Sequence, residues 1–177
     1  MIRIFDFLFS LIGLIFLSTL IILIFFIGLF DNGSPLFIQS RVGYNLKSFS
    51  LIKFRTMPMG VRSAGTHLIK DIKLSPFGNF LRRTKLDEIP QLLNVLFGDM
   101  SLVGPRPCLF NQKKLISERK KRGVFKVRPG ITGLAPINDV DMKTPTLLAK
   151  IDQKMIKEMN LYNYFYYIFK TIFKIVR

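Results

Sequence analysis

Apolar residues are distributed along this chain in two different ways. Between Phe7 and Phe30 no charged residue occurs, and about 24 residues rising about 1.5 Å each cover roughly 36 Å, enough for a bilayer core of about 30 Å. The run is too long for the apolar part of a cleaved signal, and Phe30-Asp31-Asn32-Gly33 offers no small-x-small cleavage site, so it reads as a retained membrane segment. Composition alone favours a single span, although Ser18-Thr19 near its middle are residues that bond back to the preceding turn and bend helices. Arg3 alone precedes the run, whereas Arg41, Lys47, Lys53, Arg55 and Arg62 follow it, which places the rest of the chain on the cytoplasmic side.

The far end mixes rings with cations: Leu161 to Arg177 carries Tyr162, Tyr164, Tyr166, Tyr167, Phe165, Phe169 and Phe173 among Lys170, Lys174 and Arg177. Such a helix suits the headgroup boundary; the competing reading is a helix packed into the protein's own core. Thr144-Pro145 marks a helix start upstream. In between, Phe37-Ile38 and Phe49–Phe54 read as short strands, with turns at Asn32-Gly33 and at Gly43-Tyr44-Asn45. Asn79–Thr84 reads as helix, Leu86–Phe97 as helix interrupted by Pro90, and Leu68–Lys73 is ambiguous. The expected fold class is α/β, mostly helical with little sheet. It divides into a membrane-inserted segment (1–31), a cytoplasmic body (32–143) and an amphipathic, interfacial end (144–177).

The chain has 177 residues, and 27 Lys+Arg against 11 Asp+Glu give a net charge of +16. Nearly half the residues are apolar, so a charge-rich disordered chain is excluded. One cysteine (Cys108) and one histidine (His67) provide neither an internal disulfide nor a Cys/His zinc site, and both are read as incidental. The positive balance fits anionic lipid, nucleic acid or a phosphorylated substrate.

In a basic chain the few carboxylates are informative, and Asp87-Glu88 stand out. Arg82, Arg83 and Lys85 lie just upstream. Downstream, Gly104-Pro105-Arg106-Pro107 presents a guanidinium between two prolines, a stiff setting suited to bidentate phosphate contacts. This combination suggests phosphoryl chemistry. One carboxylate attacks phosphorus or holds a metal, while the other handles protons or the same metal. The bland alternative is a capping box, Thr84-Lys85-Leu86-Asp87, with Glu88 compensating a helix dipole. Asp99, Asp139 and Asp141 read as ordinary helix-exit and loop residues.

Four ordered segments then carry a likeness: Lys53-Phe54-Arg55-Thr56-Met57, Leu86-Asp87-Glu88-Ile89-Pro90-Gln91-Leu92-Leu93-Asn94-Val95, Gly98–Pro107 and Arg128-Pro129-Gly130-Ile131-Thr132-Gly133. They resemble the successive signatures of bacterial sugar transferases, specifically the small monotopic phosphoglycosyl transferases that start glycan assembly on polyprenyl phosphate. The resemblance implies transfer of a sugar 1-phosphate from a UDP-sugar to undecaprenyl phosphate with release of UMP. An N-acetylated hexosamine is the expected sugar, and capsule, lipopolysaccharide and protein-linked glycans are the expected pathways. It further implies Asp87 as a nucleophile forming a covalent phosphosugar intermediate, Glu88 handling protons, and Mg²⁺ held by Asp87 and Glu88. Lys53, Arg82 and Arg106 would bind phosphates, with Arg55 and Arg128 as further candidates.

By the same likeness the apolar segment becomes re-entrant, dipping into the cytoplasmic leaflet of the bacterial inner membrane and returning. Membrane lipids are then partners and nucleic acid is not. The sequence departs from the family in two places. Ser18-Thr19 stand where Ser-Pro is usual, and Leu134-Ala135-Pro136-Ile137-Asn138-Asp139-Val140 lacks the arginine that many members carry where Val140 stands. The competing hypothesis is a membrane-anchored basic module binding lipid or nucleic acid, for which the Asp87-Glu88 pair would be dispensable.

Overall fold

The computed structural model describes residues 1–59 and 74–176. The ambiguous Leu68–Lys73 segment, His67 and Arg62 lie outside them. The apolar run forms two helices, α1 (Ile2–Phe16) and α2 (Ser18–Asn32), bent by 63° at Leu17. Among the described residues no single helix is long and apolar enough to cross a membrane, although the bent pair together meets that demand by length and composition. The uninterrupted span favoured by composition is therefore not formed. The break falls one residue before Ser18-Thr19, where Leu17 adopts φ −89° and ψ 3°. Helix α2 stops at Gly33, whose φ of +70° is the left-handed cap an L side chain resists.

A buried carboxylate ties α1 to the body. Asp6 is 2% exposed and accepts hydrogen bonds from Ser101 Oγ, the Leu102 amide and Tyr164 Oη, each at 2.9 Å. Arg3 beside it donates to the carbonyls of Leu96 and Met100. Such bonds offset the cost of taking charge out of water. The residue that bounds the apolar run is thus its anchor.

Strands β1 (Leu36–Val42) and β2 (Ser48–Phe54) form an antiparallel hairpin in the register Leu36↔Phe54 to Val42↔Ser48. Both were expected, but β1 runs longer than Phe37-Ile38 because its polar positions, Gln39, Ser40 and Arg41, continue the ladder. Helix α3 (Pro76–Arg83) starts on Ser75, whose Oγ accepts from the Gly78 amide at 2.9 Å, with proline at its first position. A 3₁₀ turn over Leu86–Glu88 then leads through Pro90 into α4 (Gln91–Phe97), so the proline marks the boundary its missing N–H requires.

Strand β3 (Ser101–Val103) pairs parallel with β4 (Gly130–Thr132). Backbones meet closely there: a Cβ on Gly130 would lie 2.0 Å from the Gly104 amide nitrogen, so only glycine fits. Helix α5 (Lys113–Lys121) lies against α7 (Pro145–Lys157), with the short α6 (Leu134–Ile137) between β4 and α7. The described residues are mostly helical with two small two-stranded sheets, as expected.

Helix α8 (Leu161–Val176) divides the two readings of the aromatic end between its faces. Tyr164 and Tyr167 are buried against Val103 and Met155, while Tyr162, Phe169 and Phe173 are exposed at 77%, 57% and 69%. Cys108 is fully buried beside Val42, Leu115 and Leu148, a packing residue.

Candidate active site

The capping box does not form. Thr84 ends α3, and its hydroxyl bonds back to the carbonyls of Phe80 and Leu81. Lys85 then takes a left-handed conformation, φ +59°, which turns the chain sharply and sets the following 3₁₀ turn against β2. A lysine held there is strained, a feature that clusters at functional sites. The turn delivers Asp87, 5% exposed, to the wall of a cleft of about 520 Å³.

Cations surround that carboxylate. Lys53 from β2, Arg82 from α3, Lys85, Arg106 and Arg41 all line the cleft. Arg82 Nε donates to Thr56 Oγ1 at 2.8 Å. Asn94 fixes the strand carrying Lys53: its side chain accepts from the Ile52 amide at 3.0 Å and donates to the Ser50 carbonyl at 2.8 Å. Glu88 and Arg106 form a two-pronged ion pair, Nη2 to Oε1 and Nη1 to Oε2.

The two neighbouring carboxylates differ in electrostatics. Burial, then the charge of Glu88, pushes the Asp87 carboxyl above its ordinary pKa, against the pull of Lys53, Lys85 and Arg106. Burial alone would raise Glu88 too, but the Arg106 charge and hydrogen bonds, with Lys85 and Lys53, hold it below the usual range. Burial lowers Lys53, opposed by both carboxylates. Burial and the nearby Arg106 bring Arg41 down to about 10. The Asp87 carboxylate receives no hydrogen bond from the described residues, so its oxygens are free to react.

Arg106 sits on a braced loop. The Gly104 amide donates to the Thr132 carbonyl, and the Pro105 carbonyl accepts from the Gly130 amide. Arg119 Nη1 donates to the Arg106 carbonyl at 2.8 Å, and Arg41 Nη1 to that of Pro107 at 3.3 Å. Arg119 is held in turn by Asp152, with Nε to Oδ2 at 2.9 Å, both residues 1% exposed. Burial raises the Asp152 carboxyl even against Arg119, so the pair is retained despite its desolvation cost.

Five of the seven candidate residues meet in the cleft: Asp87, Glu88, Lys53, Arg82 and Arg106. Arg55 turns away, donating to the carbonyls of Ser34 and Leu36 over the Phe37 ring. Arg128 also lies elsewhere, donating to the Gly98 carbonyl at 2.7 Å over the Tyr44 ring. Asp139 and Asp141, read as plain loop, line the cleft, and so does Val140, where many sequences of the likeness carry arginine. Arg41, Asn94, Arg119 and Asp152 were not among the residues expected to build the site. Of these, Asp152 carried a signal, as one of few acids in an apolar helical pattern.

Among the described residues no group of three or more His, Cys, Asp or Glu side chains is arranged to hold a metal. Of the two carboxylates expected to hold Mg²⁺, Asp87 has oxygens that accept no hydrogen bond from the described residues, as suits an ion that takes one or two carboxylates and completes its shell with substrate phosphates and water, whereas both Glu88 oxygens are paired with Arg106.

The whole chain, residues 1–177, matches the family described as Bacterial sugar transferase. A sugar transferase of Bacillus subtilis, EpsL, is 46% identical over 74% of this chain and 67% of its own length. The undecaprenyl-phosphate galactose phosphotransferase of Salmonella typhimurium is 34% identical over 99% of this chain and 40% of its own. For the UDP-glucose:undecaprenyl-phosphate glucose-1-phosphate transferase of Escherichia coli the values are 39%, 80% and 32%. The chain thus spans well under half the length of these last two relatives. With the match running from end to end, the chain belongs to the bacterial sugar transferase family.

Proposed function

We propose that the chain transfers a sugar 1-phosphate from a UDP-sugar to undecaprenyl phosphate, releasing UMP, by way of a phosphosugar ester on Asp87. The observation that carries this reading is the Asp87 carboxylate itself: buried, without a hydrogen-bonded partner among the described residues, and ringed by cations in a cleft. One Asp87 oxygen attacks the phosphorus next to the sugar, and the bond to the bridging oxygen breaks with that oxygen leaving on UMP. An oxygen of the lipid phosphate then attacks the same phosphorus and returns Asp87 as the free carboxylate.

Lys53, Arg82 and Arg106 bind and orient the diphosphate and offset the charge that the carboxylate meets on approach. Glu88, ionised at neutral pH by its pairing with Arg106, aims that guanidinium rather than delivering protons. Asp87 and Glu88 would also hold a Mg²⁺ ion, whose charge on the donor phosphates further reduces repulsion. The bent α1–α2 pair enters the cytoplasmic leaflet of the inner membrane and returns, and the exposed aromatic face of α8 rests at the headgroups. An N-acetylated hexosamine is the expected sugar.

UMP release by the purified chain, with undecaprenyl phosphate and a panel of UDP-sugars, tests this reading. Its pH dependence is signed. Because Asp87 must be ionised and its pKa is raised, kcat/KM for the donor climbs with pH along an acidic limb lying above the ordinary aspartate range. Glu88→Gln moves that limb to lower pH by removing a like charge, and Arg106→Gln moves it higher by removing an opposite one. A limb that both variants leave in place rejects Asp87 as the titrating group.

A further inference from the structure

Behind the Arg106 loop lies a second cavity, of about 360 Å³. Arg106 and Pro107 face the catalytic cleft, whereas Gly104 and Pro105 line this groove on the other side. Its two walls differ in chemistry. Ile2, Met155, Ile156 and Met159 make an apolar side, and Lys126 and Arg128 a cationic one.

These cations are available to a ligand. Arg128 spends Nε on the Gly98 carbonyl and lies over Tyr44, and its two Nη groups meet no acceptor among the described residues. Lys126, exposed, has no ion-pair partner among them either. The other charges in the lining are occupied: Asp6 accepts from Ser101, Leu102 and Tyr164, and Arg3 donates to Leu96 and Met100. A free forked guanidinium beside an ammonium suits a phosphate, and the apolar wall suits hydrocarbon attached to it.

The lining reaches the two membrane-seeking elements, which pack on each other through Phe5 and Phe165. Ile2 begins α1, next to the exposed Met1 and close to Ile4, and Met159 lies two residues before the start of α8, whose Tyr162 is exposed. We propose that this groove holds one anionic phospholipid, its phosphate on Arg128 and Lys126 and its glycerol and upper chains along Ile2, Ile156 and Met159. This lipid is distinct from the polyprenyl acceptor, whose phosphate has to reach Asp87 on the far side of the loop. The inference rests on the membrane placement proposed above and is independent of Asp87 as nucleophile.

The test is lipid retention by the full chain, taken from nanodiscs of equal phosphatidylglycerol and phosphatidylcholine and read by native mass spectrometry. One phosphatidylglycerol is expected to be retained, at least tenfold over phosphatidylcholine. The Lys126→Glu/Arg128→Gln variant loses that preference by tenfold or more. Should this double variant unfold, Lys126→Glu alone carries the test, with about a threefold loss. Equal retention of the two lipids, or undiminished preference in the folded variants, overturns the proposal. Competition by millimolar glycerol 3-phosphate as effective as that by the intact lipid overturns it as well, because the ligand is then a free phosphate. Asp87→Asn is expected to retain the lipid as the parent does, so failure of the proposed chemistry and failure of this site read out separately.

Discussion

Replacing Asp87 with asparagine stops sugar-phosphate transfer and makes the protein more stable. The catalytic loss is expected at roughly 10⁴- to 10⁶-fold in kcat, the range seen when a covalent nucleophile is removed from an otherwise intact site. Asparagine keeps the shape of the side chain, so donor binding by Lys53, Arg82 and Arg106 survives. The gain in stability follows from the direction of the pKa. Burial and Glu88 raise the Asp87 carboxyl, so the folded chain binds that proton more tightly than the unfolded one. Stability from this group is therefore present at acid pH, falls as pH rises between the unfolded and folded pKa values, and is at its lowest above the folded value. Asparagine removes that cost at neutral pH. Each ~1 kcal/mol recovered lifts the melting midpoint by roughly 2–4 °C in a chain of this size. Thermal melts of parent and variant at pH 5 and pH 8 check the sign: the variant's advantage is larger at pH 8. An advantage that is absent, or larger at pH 5, contradicts the assignment of Asp87 as a charge buried for function.

The second large effect concerns Arg119 and Asp152, which touch no substrate. Arg119→Met alone leaves Asp152 charged and unpaired in the core, and is expected to cost about 3–5 kcal/mol of stability. The double replacement Arg119→Met/Asp152→Leu removes both charges and returns stability to near or above the parent's. Activity does not return with it. The Arg106 carbonyl loses its 2.8 Å donor, and a guanidinium displaced by about 1 Å from its phosphate costs on the order of 10²-fold. A stable double variant with kcat down by that factor separates positioning from folding. If Arg119 acts through Arg106, adding Arg106→Gln to the double replacement brings little further loss, the signature of coupled residues. Full activity in the stable double variant rejects the positioning role.

These two cases also mark what was legible in the chain. The Asp87-Glu88 pair stood out because acids are scarce, and Arg106 because prolines flank it; both are local features, and both lie in the cleft. The two short strands and the turn between them, the helix ahead of Asp87 and the interruption at Pro90 followed from apolar patterning and from turn and proline chemistry within a few residues. What was not legible depends on distance along the chain. Asp152 and Arg119 lie 33 residues apart, and Asp6 meets Tyr164 across 158, so even where an acid stands out locally its partner cannot be read from neighbouring positions. Arg55 and Arg128 belong to recognisable motifs, yet both point away from the cleft, Arg55 to the carbonyls of Ser34 and Leu36 and Arg128 through Nε to that of Gly98, a matter of side-chain direction that spacing does not fix. The bend at Leu17 is signalled only by the neighbouring Ser18-Thr19 and by the family likeness, because an apolar run itself reports affinity for lipid and not whether its helix continues.

The most direct measurement is a rapid quench with the donor alone. Mixing the full-length chain with a UDP-sugar labelled in the sugar phosphate, without lipid acceptor, is expected to release a burst of UMP approaching one equivalent per active site. The label should remain on the peptide containing Asp87 and chase off when undecaprenyl phosphate is added. A preparation that turns over with both substrates, yet releases no UMP and carries no label with the donor alone, contradicts a covalent aspartyl intermediate and requires direct transfer between the two substrates.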